Sequence, residues 1–343
     1  MDDTSSPEHP RDRRATQIFR PGRGPAAPRP NAILGDAART PRVAGPPGVR
    51  LRANGGPRLP RDRAVLIRLA RLRVLSLSQL HPLVFPGLHA SSLSRCLSRL
   101  EEGGWAQRWE EPRETGGRPR LVVPTATGLS WALGRLEEEA PGFVHERLLR
   151  TMLGTGRASP LVLPPGRIPA SLPHLLEVNQ VLVALLGTSE LAVTWASSWP
   201  RPFPSGGAYG LRLPQPDGIL LLAGGEGPRR LVFLEHDRGT ESLVSFARAK
   251  VDRYRALASR PGLLEELTGF RRFAVVVTVT GPGPAETDAR TRALTRLIRS
   301  RFAAALLHVM PYEDLLTQPE LVGEVGRGVP PPRQPDAPEP LSP

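Results

Sequence analysis

Residues 231–250 of this 343-residue chain read LVFLEHDRGTESLVSFARAK, an apolar run followed by a polar turn and a second, longer patterned segment. The apolar run 231–234, which ends in Glu235, is typical of a buried strand. Between Thr240 and Ala258 the apolar residues return at helical spacing, which predicts a helix soon after the strand. The apolar stripe of this helix consists of Leu243, Phe246, Ala247, Tyr254 and Leu257.

Around this strand and helix, the sequence alternates between strand-like and helical segments. The predicted order is helix, three strands, helix, strand, helix and strand, at about 173–186, 191–199, 211–222, 231–235, 240–258, 272–280, 286–302 and 304–310. Three consecutive strands favour a meander, and the later strands, separated by helices, favour crossover connections. The sequence therefore predicts an α/β fold with a mixed sheet and helices on both faces.

Three acidic residues lie at the ends of two neighbouring predicted strands. Asp217 precedes the apolar run 219–223, and a short turn leads from there to the strand that ends with Glu235 and Asp237. Side chains alternate across a strand, so Glu235 and Asp237 are expected on one face and His236 on the other. Three clustered carboxylates repel one another unless a cation lies between them, and hard oxygen ligands suit Mg²⁺ or Mn²⁺. Asp217, Glu235 and Asp237 are therefore predicted metal ligands.

Lys250 is the only lysine among the 46 basic residues of the chain. The near-total use of arginine reflects a biased, GC-rich genome, so the exception needs a reason. Lys250 lies in the apolar stripe, where a charge is costly unless its ammonium reaches carboxylates or a wet cavity. Arginine is planar and effectively never deprotonated, so it cannot replace a compact amine that must orient a water. We expect Lys250 to reach Asp217 and Glu235.

Each of these features has a simpler alternative. Pro-Asp-Gly at 216–218 is a common turn. Capping of the following helix explains Asp237 as well as metal binding does, and Thr240 is a second capping candidate. Three further alternatives are a Glu235–Arg238 ion pair, a Lys250 side chain that extends past the helix end, and structural roles for His174 and His236.

The region 59–139 has a different order of elements. Helices are predicted at about 61–72, 78–85 and 91–102, followed by strands at 105–109 and 121–124 and a helix at 127–139, with Ser78 as the N-cap of the second helix. Three helices, a β-hairpin with a basic tip and a closing helix predict a winged helix-turn-helix that docks on duplex DNA. The predicted contacts come from the third helix and the hairpin loop: Ser92, Ser94, Arg95, Ser98, Arg99, Arg113, Arg118 and Arg120. The alternative is a winged helix that binds protein.

Charge and composition bound the function further. The formal net charge of +13 favours an acidic partner, nucleic acid first. A single cysteine, Cys96, excludes a disulfide within the chain and a cysteine-based zinc site. No long apolar run or secretory signal is present in the sequence, so a cytoplasmic protein without membrane contact is expected. Segments 1–58 and 313–343 are predicted to be largely disordered, the first as a basic arm, and 140–171 to be a linker between the domains 59–139 and 172–312.

The second region resembles the restriction-endonuclease-like PD-(D/E)xK nucleases. The shared features are a helix, a three-strand meander, a Pro-Asp pair, Glu235-x-Asp237 and a lysine on the next helix. The resemblance implies that Asp217 and Glu235 hold Mg²⁺ and that Lys250 is catalytic, with Glu177 as an accessory acid. The family usually places its lysine two residues after the glutamate, where this chain has Asp237.

Residues 60–312 also resemble the replication-relaxation family of bacterial plasmids. The matching residues are His174, which counts as a further accessory residue, Asp217, the string Glu235 to Thr240, Lys250 and Tyr254. The resemblance implies a DNA-associated role on plasmids or other mobile elements. Two functions follow: a DNA-binding protein with Mg²⁺-dependent phosphodiester cleavage, or a non-catalytic transcription or replication regulator. Beyond DNA, the expected partners are a second copy of the chain, as a homodimer, or replication and mobilisation proteins.

Overall fold

The computed structural model describes residues 56–109, 120–139, 169–188, 193–198, 203, 210–224, 227–301 and 306–325. All of them belong to one compact unit, Arg50–Pro343. The predicted basic arm up to residue 55, the loop 110–119 with Arg113 and Arg118, most of the linker (140–168) and the tail from 326 lie outside the described residues. No helix in the described part of the chain is long and apolar enough to cross a membrane.

The first described region is built from helices around a small antiparallel sheet. Its elements are α1 (Pro60–Leu72), β1 (Leu75–Ser76), α2 (Leu77–Val84), α3 (Ala90–Glu102), β2 (Ala106–Trp109), β3 (Leu121–Pro124) and α4 (Ala126–Glu139). The sheet has the order β1-β3-β2. The predicted helices and strands are confirmed to within a few residues, but the two-residue strand β1 was missed. It is too short for alternation to be visible, and it depends on pairing with β3 at Leu75↔Val122.

The start of α2 corrects one prediction. Ser76, and not Ser78, is the N-cap. The Ser76 hydroxyl accepts the backbone N–H of Gln79 at 3.1 Å, and the Gln79 side chain accepts the backbone N–H of Ser76 at 3.0 Å. This reciprocal capping box satisfies two N–H groups, whereas Ser78 bonds only to the Ser76 hydroxyl, at 2.8 Å.

The second described region confirms the predicted mixed α/β fold. Its elements are α5 (Leu172–Gly187), β4 (Val193–Ser197), β5 (Gly218–Gly224), β6 (Gly227–Asp237), α6 (Leu243–Phe246), a π-helical segment (Ala247–Val251), α7 (Asp252–Ala258), α8 (Pro261–Thr268), β7 (Phe273–Val279), α9 (Pro284–Ser300), β8 (Leu307–Pro311), α10 (Tyr312–Thr317) and α11 (Leu321–Glu324). The strand order is β4-β5-β6-β7-β8. The first three strands pair antiparallel, whereas β6–β7 and β7–β8 pair parallel.

Helices cover both faces of this sheet. Side chains alternate along β6, so its residues pack against helices on both sides. Val232 and Leu234 pack in a buried cluster with residues of α5, α10 and α11. Phe233 belongs to the cluster on the other face, with residues of α6 to α9. Sequence patterns missed α8, α10 and α11. The predicted disordered tail from 313 is wrong up to residue 325, because Leu315 and Val322 are fully buried.

The first cluster continues from the second region into the first. It contains Leu66 and Leu69 of α1 together with Val178 and Leu182 of α5. Hydrogen bonds accompany this packing: the buried amide of Asn179 donates to the carbonyls of Leu72 and Val74, at 2.9 and 2.6 Å. The hydroxyls of Ser197 and Ser198 donate to the carbonyls of Arg71 and Leu72, at 3.1 and 3.2 Å. The end of α1 is thus bound by the second region, and the predicted domain boundaries stay a prediction.

Candidate functional site

Asp217 is fixed beside the carboxyl end of β6 by the pairing of β5 with β6. Its backbone N–H donates to the carbonyl of Leu234 at 3.0 Å. Its carboxylate accepts the backbone N–H of His236 at 2.9 Å. Because these bonds involve the β6 residues on both sides of Glu235, the two acidic side chains lie at the same end of the sheet, as predicted.

Lys250 joins the two acids. Its ammonium bonds to one carboxylate oxygen of Glu235 and to the carbonyl of Gln215 at 3.2 Å, and it lies 4.0 Å from Asp217 Oδ1. The Lys250 side chain is 19% exposed, and the Glu235 side chain is 1% exposed. The expected contact of the lysine with both acids is therefore present, and its side chain does not extend past the helix end.

The π-helical segment Ala247–Val251 carries Lys250. The sequence predicted one continuous helix from Thr240, but α6 begins at Leu243, with Ser242 as its N-cap. Four residues after Lys250, Tyr254 donates its hydroxyl to the second oxygen of Glu235. Residues four apart share a helix face, so one stretch of helix supplies both partners of the buried carboxylate. Short π-helical segments are frequent at functional sites.

Burial and charge shift the pKa values of Asp217 and Glu235 in opposite directions. Burial raises the pKa of Glu235 to about 8, although Lys250 acts to lower it. Burial also acts to raise the pKa of Asp217, but a hydrogen bond from His174 and the charge of Lys250 lower it to about 2. For Lys250, burial favours a lower pKa, yet the charges of Glu235 and Asp217 outweigh burial and raise it. The pKa of Asp217 therefore lies below its ordinary value, and the pKa of Glu235 lies above its ordinary value.

The acidic side chains of this site are held by contacts within the protein. Both oxygens of Glu235 accept hydrogen bonds, from Lys250 and Tyr254. Asp237 binds Arg290 of α9 at 2.8 Å and accepts the backbone N–H of Gly239 at 2.9 Å. Within the described ranges, no three His, Cys, Asp or Glu side chains are grouped as metal ligands. Asp237 thus turns to Arg290 of α9, whereas Asp217 and Glu235 lie together beside Lys250, and metal binding at these residues stays a prediction.

On the other face of β6, His236 links the site to α5. Its ring nitrogens contact Glu177 at 3.0 Å and Thr278 at 2.9 Å. Burial lowers the pKa of His236, although Glu177 opposes this. His174 lies 3.3 Å from Asp217 Oδ1, and its ring centroid is 5.4 Å from that of His236. Of the two predicted accessory residues, His174 touches Asp217, whereas Glu177 binds His236 and Arg238.

Helix α3 presents a second candidate surface. The side chains of Leu93, Cys96, Leu97 and Leu100 are buried, and Ser94 and Arg95 are exposed on the opposite side. Arg99 was predicted to face DNA, but it binds Asp62 of α1 through two hydrogen bonds of 3.1 and 2.7 Å. It remains 44% exposed. On β2, Arg108 binds Glu101 and lies 3.4 Å from Ser98. Helix α3 is thus held from both sides.

Comparison with known proteins identifies the family of the chain. A family model described as replication-relaxation matches residues 66–271, more than half of the 343 residues. The chain belongs to the replication-relaxation family. The match spans α3, Asp217, Glu235 and Lys250. Searches of curated proteins and of solved structures returned no match.

Several polar contacts in this replication-relaxation protein escaped sequence reasoning. Tyr254 was assigned to the apolar stripe and to the residues shared with the family, but not as a partner of Glu235, and Arg290 was not connected with Asp237. Asn179 carried a usable signal: an amide on the apolar side of a helix, next to Val178, must find buried partners. No local pattern indicates the partners of Tyr254 and Arg290, because they come from other segments of the chain.

Proposed function

We propose that this replication-relaxation protein binds duplex DNA on plasmids or other mobile elements. In this proposal, residues 60–139 are a winged helix and α3 is its recognition helix. The order of three helices, two longer strands and a closing helix supports it. The formal net charge of +13 provides the attraction for phosphates that such binding needs.

The observation that carries the proposal is that two basic residues of α3 and β2 are bound within the protein, whereas a third is exposed and unpaired among the described residues. Arg99 and Arg108 are bound to Asp62 and Glu101, so they fix the helix in place. Arg95 is exposed, and the described residues offer it no hydrogen-bond or ion-pair partner. A rigid helix with an uncommitted arginine suits insertion into the major groove, where arginine reads guanine.

The other predicted contacts extend this interface. Ser92, Ser94 and Ser98 supply hydroxyls on α3 that can donate to phosphate oxygens. Arg120 is exposed immediately before β3. Together with Arg113 and Arg118 of the hairpin loop, it is proposed to contact the phosphate backbone as the wing.

For the second region, we propose a restriction-endonuclease-like fold that acts without metal-dependent cleavage. The support is the position of Lys250, whose ammonium lies against Asp217 and Glu235 where a cation would have to bind. The protein would then be a replication or transcription regulator. The family description includes relaxation, so Mg²⁺-dependent strand cleavage at Asp217 and Glu235 is the alternative function.

Replacing Arg95 by Gln should weaken DNA binding about tenfold or more, because a base or phosphate contact of arginine contributes about 1–3 kcal/mol. Fluorescence anisotropy with a labelled duplex from a plasmid origin, at several salt concentrations, measures the affinity. The control is Arg271→Gln, which removes the same charge from a side chain that is 69% exposed in the second region. Equal affinities of Arg95→Gln and the wild type would exclude α3 as the docking helix.

A further inference from the structure

A basic groove of about 560 Å³ runs along the outer side of the helix that carries Lys250. Arg248 of the π-helical segment, Arg253 of α7 and Arg212 line it. Ser242 and Ser245 add hydroxyl groups. This groove is separate from the candidate site, because Asp217, Glu235 and Lys250 are not among its lining residues.

The groove carries positive charge that the protein does not neutralise. Across the described ranges, Arg212, Arg248 and Arg253 have no hydrogen-bond or ion-pair partner. Asp252 is the one acidic side chain in the lining, and it binds Arg301, the residue after α9, at 2.6 and 2.7 Å. Three unpaired arginines around one groove therefore favour an anionic ligand.

The side chains around the groove suit a phosphodiester backbone. Guanidinium groups bind phosphate oxygens through paired N–H donors, and serine hydroxyls add single hydrogen bonds. The apolar side chain of Val244 is 58% exposed on the same groove and can pack against a sugar or a base. An open groove of this volume lined by three arginines fits successive phosphates of one strand better than a single small anion.

We infer that this groove is a second nucleic-acid contact, which binds the phosphate backbone of DNA outside the site read by α3. The inference rests on the proposed DNA binding and extends it to the second region. The shared packing of α1 with α5 would then connect two DNA contacts through one core. An acidic protein segment is the other class of ligand, and the experiment below distinguishes it.

The test compares salt dependence of DNA binding among three variants. Each neutralised phosphate adds roughly 0.9 to the slope of log K against log salt concentration, so Arg248→Gln/Arg253→Gln should lower the slope by about 2. The matched control, Arg255→Gln/Arg292→Gln, removes two exposed arginines outside the groove and should retain the slope. The third variant, Arg95→Gln, tests α3.

The outcomes separate the two proposals. If the groove and control variants have the same slope, the groove does not bind DNA. If Arg95→Gln binds DNA as tightly as the wild type while the groove variant binds more weakly, only the docking of α3 is overturned. A wild type that binds no DNA would refute both and leave the acidic segment as ligand.

A chemical probe tests directly for DNA in the groove. Cys96 is buried, and burial raises its pKa to about 12, so an iron-EDTA reagent should label Val244→Cys selectively. Strand cleavage by the tethered iron is expected at positions flanking the α3 footprint. The same reagent on Arg292→Cys should give no such cuts, and equal patterns from both would contradict the inference.

Discussion

Lys250→Met should destabilise the protein by about 3–5 kcal/mol at pH 9, the range for a buried ion pair that loses one partner. Methionine keeps the length and apolar packing of the side chain, so the loss reports the missing charge. The Glu235 carboxylate would remain 1% exposed with only the Tyr254 hydroxyl as partner. Urea unfolding followed by circular dichroism measures the difference from the wild type.

The effect should depend on pH in a defined direction. The pKa of Glu235 is raised by burial from 4.5 to about 8, so folding takes up a proton and stability falls as pH rises between these values. Without Lys250 the pKa rises further, and the window of falling stability extends above 8. The variant should therefore lose only about 1–2 kcal/mol at pH 6, where Glu235 is protonated. Arg255→Ala, an exposed control on the same helix, should stay within about 0.5 kcal/mol at both pH values. Equal losses for Lys250→Met and Arg255→Ala would contradict the ion-pair assignment.

Asn179→Ala should cost about 2–4 kcal/mol, because it removes two buried hydrogen bonds and leaves the carbonyls of Leu72 and Val74 without these donors. This prediction tests a contact between the two described regions. Asn179 lies on α5, whereas Leu72 is the last residue of α1 and Val74 follows that helix. Thermal unfolding by calorimetry measures the cost and also the number of transitions.

The control for this prediction is Gln180→Ala, on the next residue of α5, whose side chain is half-buried. It should change stability by less than about 0.5 kcal/mol. One cooperative transition is expected for the wild type because α1 and α5 share a core. Two separate transitions in the wild type, or equal effects of Asn179→Ala and Gln180→Ala, would show that the regions fold independently of this contact.

The regular elements were predictable because their patterns are local. Alternation and helical spacing gave β6, β7 and α9 to within a few residues, and the buried side of α3 was assigned correctly at Leu93, Leu97 and Leu100. Elements whose burial depends on distant partners were missed. For example, α10 and α11 are short, and their burial depends on the sheet, where Leu315 and Val322 join the cluster beneath it.

The same difference between local patterns and distant partners applies to the candidate site. The meeting of Asp217, Glu235 and Lys250 followed from strand order and from the cost of a lysine in an apolar stripe. The partner of Asp237 did not, because Arg290 is 53 residues away and carries no pattern that points to it. A π-helical segment likewise has no signature in apolar spacing, so the predicted helix passed through 247–251 without interruption.

The most direct test of the central claim, DNA binding without metal-dependent cleavage, uses supercoiled plasmid. Wild-type protein is incubated with the plasmid in Mg²⁺ or Mn²⁺, and half of each sample is stripped of protein before electrophoresis. A retarded band is expected in the native half and intact supercoiled plasmid in the stripped half, with the same result for Asp217→Asn. Nicked or linear plasmid from the wild type, but not from Asp217→Asn or Lys250→Ala, would contradict this claim and establish the acidic site as a nuclease centre.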